Sequence, residues 1–159
     1  MAAYDFSADD IFKMAIEIEV NGQEFYRKAA ADAENDELKK VLLDLADMEV
    51  EHEETFKLMQ EELKDSEKAS NVFDPDNEAA AYLKALADTK VFYEKEIDTK
   101  SVKEVMKAAI SAEKDSIVFY LGMKALVPEK KGQDRLDQII NEEMTHIRII
   151  STKLMPFIK

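Results

Sequence analysis

The 159-residue sequence has no cysteine, only three glycines and three prolines, and only two histidines. Without cysteine there are no disulfides, no thiolate metal sites and no cysteine nucleophile. So little glycine and proline, beside abundant Ala, Glu, Lys, Leu and Met, reads as a nearly all-helical chain. Basic residues are also in the minority: 22 Lys and Arg face 35 Asp and Glu, a formal net charge of −13. That balance argues against nucleic acid as a partner, because phosphate binding needs a basic footprint. No apolar run approaches the roughly 18 residues of a membrane span. No signal peptide, twin-arginine or lipidation motif is read at the N-terminus, so the expected compartment is the cytoplasm.

What is present is 46% hydrophobic, enough for the core of one domain over residues 1–159. Four long helical segments are expected. The first opens at Ser7, whose spacing to Asp10 resembles a capping box, and runs to about Glu34. The second restarts at Asn35 or Asp36 and reaches about Asp65. The third begins at Ser101, with Glu104 at capping spacing, and stops before Pro128. The fourth starts near Asp134 and ends around Pro156. Short loops make 7–65 and 101–157 two antiparallel hairpins. The connection 66–100 is far longer and carries helical patterns of its own at 78–87 and 91–97. Two hairpins joined by one long crossover describe an all-α four-helix bundle of the crossover type.

The hairpins repeat each other at an offset of 94 residues. Phe12, Ala15, Glu19, Gly22, Tyr26 and Ala29 correspond to Met106, Ala109, Glu113, Ser116, Tyr120 and Met123. Leu42, Leu45, Glu49, His52, Phe56, Met59 and Leu63 correspond to Leu136, Ile139, Glu143, His146, Ile150, Lys153 and Phe157. Apolar positions match loosely, as those of any two core helices would. The polar positions match in identity: Glu, Tyr, Glu and His recur in register on stripes that should be buried.

A lone histidine on an apolar stripe is ordinarily a satisfied core residue. Two Glu-x-x-His pairs, in register with a repeated Glu and Tyr, are not explained that way. Glu17, Glu24, Glu51, Glu53, Glu54 and Glu142 fall off the stripes and read as solvated. On the stripes, four carboxylates converge with no Lys or Arg on the same layers. Each buried ionised carboxylate costs several kcal/mol unless it is paired. Divalent cations are the economical partner, and oxygen and nitrogen donors without sulfur suit iron or manganese. Glu and His three residues apart on a helix aim at one point. Two such pairs plus a Glu from each remaining helix make a six-donor box for two metals: Glu19, Glu49, His52, Glu113, Glu143 and His146.

Glu19 with GQEFY at 22–26, AEKDSIVFY at 112–120 and the two Glu-x-x-His pairs together resemble the rubrerythrin branch of the ferritin-like diiron-carboxylate superfamily. The resemblance covers the chain apart from 66–100. It implies a ferritin-like bundle in which Glu49 and Glu143 bridge two iron ions (manganese or a mixed pair being possible). Glu19 with His52, and Glu113 with His146, would be the more terminal ligands. Tyr26 and Tyr120 would hydrogen-bond ligand carboxylates and fix their orientation. Two departures stand out. No cysteine-bearing rubredoxin domain is present before the sequence ends at Lys159. The extra Glu that such proteins commonly carry one turn after the third-helix ligand is Ser116 here, with Gly22 as its repeat mate.

The function this resemblance implies is an oxidoreductase that reduces hydrogen peroxide, or less readily dioxygen. Its electrons would come from a separate donor such as a rubredoxin-like protein, and a homodimer is expected. The alternative is iron or manganese binding, sequestration or delivery without turnover. A storage cage is disfavoured, because no fifth helix can follow Phe157. A metal-free interaction module is the remaining class, and it leaves the repeated polar layer unexplained.

Overall fold

The structure is a computed structural model, and it describes residues 8–62, 81–83, 85–86, 97–127 and 130–158. Among these there are helices and no strands: α1 (Ala8–Ala31), α2 (Asp36–Glu62), α3 (Val102–Lys124) and α4 (Lys130–Leu154), followed by a 3₁₀ turn, Met155–Phe157. Residues 81–83 and 85–86 are helical too, within the expected 78–87 segment; residues 91–96, Ser7 and 63–65 lie outside the described residues. None of the described helices is long and apolar enough to cross a membrane.

Local chemistry sets the boundaries. Asn35 caps α2, its Oδ1 accepting from the backbone N–H of Glu37 at 2.8 Å and Leu38 at 3.2 Å. Ser101 caps α3 by accepting from the Glu104 N–H at 3.3 Å, at the spacing the sequence suggests. Helix α1 stops at Ala31, three residues before the expected Glu34. Helix α4 begins at Lys130 rather than near Asp134, because Gly132 is drawn into its first turn.

Hydrogen bonds across the pairs give the topology. Gln60 reaches Asp9 and Gln23 reaches Glu53, so α1 and α2 run antiparallel. Lys124 pairs with Asp137 at the hairpin end of α3 and α4. Tyr26 on α1 meets Glu113 on α3, and Glu62 on α2 meets Arg135 on α4. The two hairpins therefore pack face to face, and the stripes read from the sequence point inward. Some stripe positions differ: Met106 and Phe157 are half-buried, and Leu63 lies outside the described residues. Lys153 is exposed, and the buried residue at the end of α4 is Leu154.

The core has two apolar halves. One gathers Ile11, Phe12, Ala15, Phe56, Met59, Phe119, Met123, Leu136 and Ile139. The other gathers Ala29, Leu38, Leu42, Leu45, Val105, Ala109, Ile150 and Leu154. Leu83, from the connection between hairpins, is fully buried in the first half. It sits over Gly122, where a Cβ would come within 2.9 Å of Leu83 Cδ2, so a larger residue there would have to push the Leu83 side chain aside. Between the two halves, at mid-height on all four helices, lies a polar layer.

Candidate metal centre

The layer consists of Glu19 from α1, Glu49 and His52 from α2, Glu113 from α3, and Glu143 and His146 from α4. All six are at most 3% exposed. Helical geometry explains the convergence: each Glu-x-x-His pair spans one turn of its helix and presents both side chains inward. His52 Nδ1 stands 3.0 Å from Glu143 Oε1, 3.5 Å from Glu19 Oε2 and 3.7 Å from Glu49 Oε2. His146 Nδ1 stands 3.3 Å from Glu49 Oε1, 3.4 Å from Glu113 Oε1 and 3.3 Å from Glu143 Oε1. Glu49 and Glu143 thus each face both imidazoles, whereas Glu19 faces only His52 and Glu113 only His146. That is the division between shared and terminal carboxylates that two adjacent cations need. The imidazole rings lie nearly parallel, with centroids 5.4 Å apart.

The donor set fits metal ions by another criterion as well. One atom of each residue is buried without a hydrogen-bond partner: Glu19 Oε2, Glu49 Oε1, His52 Nδ1, Glu113 Oε2, Glu143 Oε1 and His146 Nδ1. Buried polar atoms are nearly always partnered, so six orphans facing one another require an explanation. Donor atoms of Glu19, Glu49, His52 and Glu143, and of Glu49, Glu113, Glu143 and His146, lie within 4.8 Å of one another, two overlapping sets of four that share Glu49 and Glu143. Oxygen and imidazole donors without sulfur are the set that divalent iron or manganese accepts.

Electrostatics agrees. Burial drives the Glu19 carboxyl well above its ordinary value, and the charge of Glu49 adds to the effect. Burial, with the charge of Glu143, pushes Glu113 up to about 7, although the nearby His146 imidazole and the Tyr26 hydrogen bond oppose the rise. Glu49 rises for the same reasons, burial first and then the charges of Glu143 and Glu113. Burial disfavours charge on the imidazoles, but the surrounding carboxylates outweigh it. His146 is raised to about 12 and His52 is raised as well. Without cations, the buried carboxyls and imidazoles favour their protonated forms. Cations can take the place of those protons.

Two phenols brace the carboxylates from across the hairpin interface. Tyr26 on α1 donates to Glu113 Oε1 on α3 at 2.5 Å, and Tyr120 on α3 donates to Glu19 Oε1 on α1. Each tyrosine therefore holds the carboxylate of the other hairpin; Glu19 turns its second oxygen to His52, whereas Glu113 meets His146 with the same oxygen that accepts from Tyr26. Ser116 does not face the cluster through its hydroxyl, which donates to its own helix at Ala112 O, 2.9 Å.

Two of the glutamates that read as solvated have partners. Glu53 accepts from Gln23 Nε2 at 2.6 Å and pairs with Lys57. Glu142 Oε2 lies 2.6 Å from His52 Nε2. Nothing in the spacing of α4 marks Glu142, which sits off the buried stripe; only the packing of α2 on α4 brings it to the histidine. A cavity of about 370 Å³ at one end of the bundle, lined by Ala29, Leu38, Leu42, Val105 and Phe157, touches none of the six residues.

The family model described as Rubrerythrin matches residues 10–152. A crystal structure from Thermotoga maritima, described as a ferritin-like diiron-carboxylate protein, is 31% identical. It covers 96% of this chain and 98% of its own, with a TM-score of 0.69. Comparison with curated proteins finds no match.

Proposed function

The chain belongs to the rubrerythrin family, and from that premise we propose that it is a dinuclear iron protein that reduces hydrogen peroxide to water. The observation that carries this reading is the ring of six buried, unpartnered donor atoms on four helices. The reaction takes one peroxide, two electrons and two protons to two waters. Bound iron supplies Lewis acidity and the two electrons.

The chain's own residues supply the rest. Glu49 and Glu143 lie between the two histidines and can be shared by both ions, while Glu19 with His52, and Glu113 with His146, complete one position each. Tyr26 and Tyr120 hold the terminal carboxylates in a fixed orientation, so the donor set changes little when its charge changes. Phe56, fully buried with its ring tilted against Tyr120 at a centroid distance of 5.0 Å, packs an apolar side chain beside the tyrosine that holds Glu19. These 159 residues contain no cysteine and so offer no rubredoxin-type iron site of their own, and the reaction draws its electrons from a reductant such as a rubredoxin-like protein or a small molecule.

The test is an anaerobic Fe(II) titration of the metal-free protein, followed by one equivalent of peroxide while near-UV absorbance is recorded. Saturation at two irons per chain and fast appearance of ferric absorbance are expected, with sustained peroxide consumption once a reductant is added. Two bound irons without fast oxidation would instead favour metal sequestration or delivery. Failure to bind iron stoichiometrically would overturn the dinuclear reading.

A further inference from the structure

The two halves of the layer pair each histidine with corresponding carboxylates, and an outer contact of His52 sets them apart. His52 Nε2 meets Glu142 Oε2 at 2.6 Å, and the other Glu142 oxygen accepts from Gln138 Nε2 at 3.3 Å. The residue related to Glu142 by the 94-residue repeat is Met48, which packs among apolar side chains. Among the described residues, no carboxylate faces the outer nitrogen of His146. Glu142 itself is not a member of the buried layer, its side chain being 45% exposed.

We infer that Glu142 is a positioning residue that makes the two metal positions unequal, the His52 position being the tighter. The inference rests on the dinuclear reading above. An imidazole has two distinct nitrogens, and the bond made by one decides what the other can do. Accepting the Nε2 proton, Glu142 keeps that proton on the outer nitrogen, so the proton a cation displaces is the one on Nδ1, the atom aimed at Glu19, Glu49 and Glu143. It also locks the ring orientation and makes the imidazole a stronger donor, as a carboxylate behind a ligating histidine does generally. His146, with no such carboxylate among the described residues, lacks that constraint on its tautomer and orientation. The first cation to arrive therefore takes the Glu19–His52 position, and the second takes the Glu113–His146 position.

Mn(II) titration of the metal-free protein, followed by calorimetry and by the EPR signal of free Mn(II), reads this without any turnover. The wild-type chain should bind two ions in separable steps. Glu142→Ala should weaken the tighter step about 10–100-fold and leave the other unchanged. Glu142→Gln, whose amide oxygen still accepts the Nε2 proton but carries no charge, should fall between. In a His146→Ala background, Glu142→Ala should still weaken the remaining ion; in a His52→Ala background it should do nothing. A two-ion wild type whose steps are unmoved by Glu142→Ala, or an equal effect in the His52→Ala background, overturns the role of Glu142 alone. A wild type that does not bind two ions overturns the dinuclear reading, and this inference with it.

Discussion

Each residue of the polar layer is unfavourable by itself and intelligible only with its neighbours. Glu49 illustrates this. It is buried between the charges of Glu143 and Glu113, which disfavour its ionised form, yet it is also one of the two carboxylates that face both histidines. Removing its charge should therefore act oppositely on the two forms of the protein. Glu49→Gln should stabilise the metal-free chain, by on the order of 1 kcal/mol or more, because a buried ionisable group without a cation is a net cost. The same substitution should abolish most of the rise in melting temperature that Mn(II) produces. Thermal melts of both proteins with and without Mn(II) check this. If metal-free Glu49→Gln melted well below the wild type, the layer would be stabilising without cations, contrary to the electrostatics.

At the scale of elements, capping groups and close approaches decide where helices begin and end. Ser101 acts as its spacing to Glu104 suggests, and Asn35, one of two expected starts of α2, is the one that caps it, because an N-cap is a local matter of one side chain and the next turn. The start of α4 is not local. Gly132 is the poorest helix former in that segment, but a Cβ there would come within 2.4 Å of Val127 Cγ1, so the turn from α3 into α4 needs its absence. Propensity alone predicts that Gly132→Ala gains up to about 1 kcal/mol. The contact predicts a net loss of roughly 1–3 kcal/mol, since the short, β-branched Val127 side chain cannot simply swing aside. Urea denaturation of Gly132→Ala decides between the two. Adding Val127→Ala should recover part of the loss; a stabilised single variant would show that the turn relaxes freely.

Over the whole molecule, a proton-rich polar layer sits between two apolar half-cores. In the metal-free fold Glu113 keeps its proton to about pH 7, whereas the unfolded chain releases it near 4.5. The histidines, raised from 6.5, hold theirs further still. The native state therefore binds more protons than the unfolded state over this range, and its stability falls as pH rises. Cations compete with those protons, so the stabilisation they give grows with pH. Between about pH 5 and about pH 8, the melting temperature of metal-free protein should fall while the increment from Mn(II) widens. An increment that is the same at both ends would mean that cations and protons do not exchange in this layer.

The repeat at 94 residues and the polar identities on apolar stripes were legible in the sequence. Periodicity is a one-dimensional signature of a buried face, and a charged residue on such a face stands out whatever surrounds it. That placed Glu19, Glu49, His52, Glu113, Glu143 and His146 on inward-facing stripes and implied two paired hairpins. Spacing along one helix says nothing about what a neighbouring helix lays against it. Glu142 looked solvated because its own helix turns it outward; the packing of α2 on α4 gives it His52 as a partner. Gly132 falls inside a helix, and Leu154 rather than Lys153 closes the core, for the same reason. The sequence by itself determined which residues share a face. Tertiary structure decided which faces meet, and so where the two-fold likeness of the halves breaks down, because that depends on contacts between segments far apart in the chain.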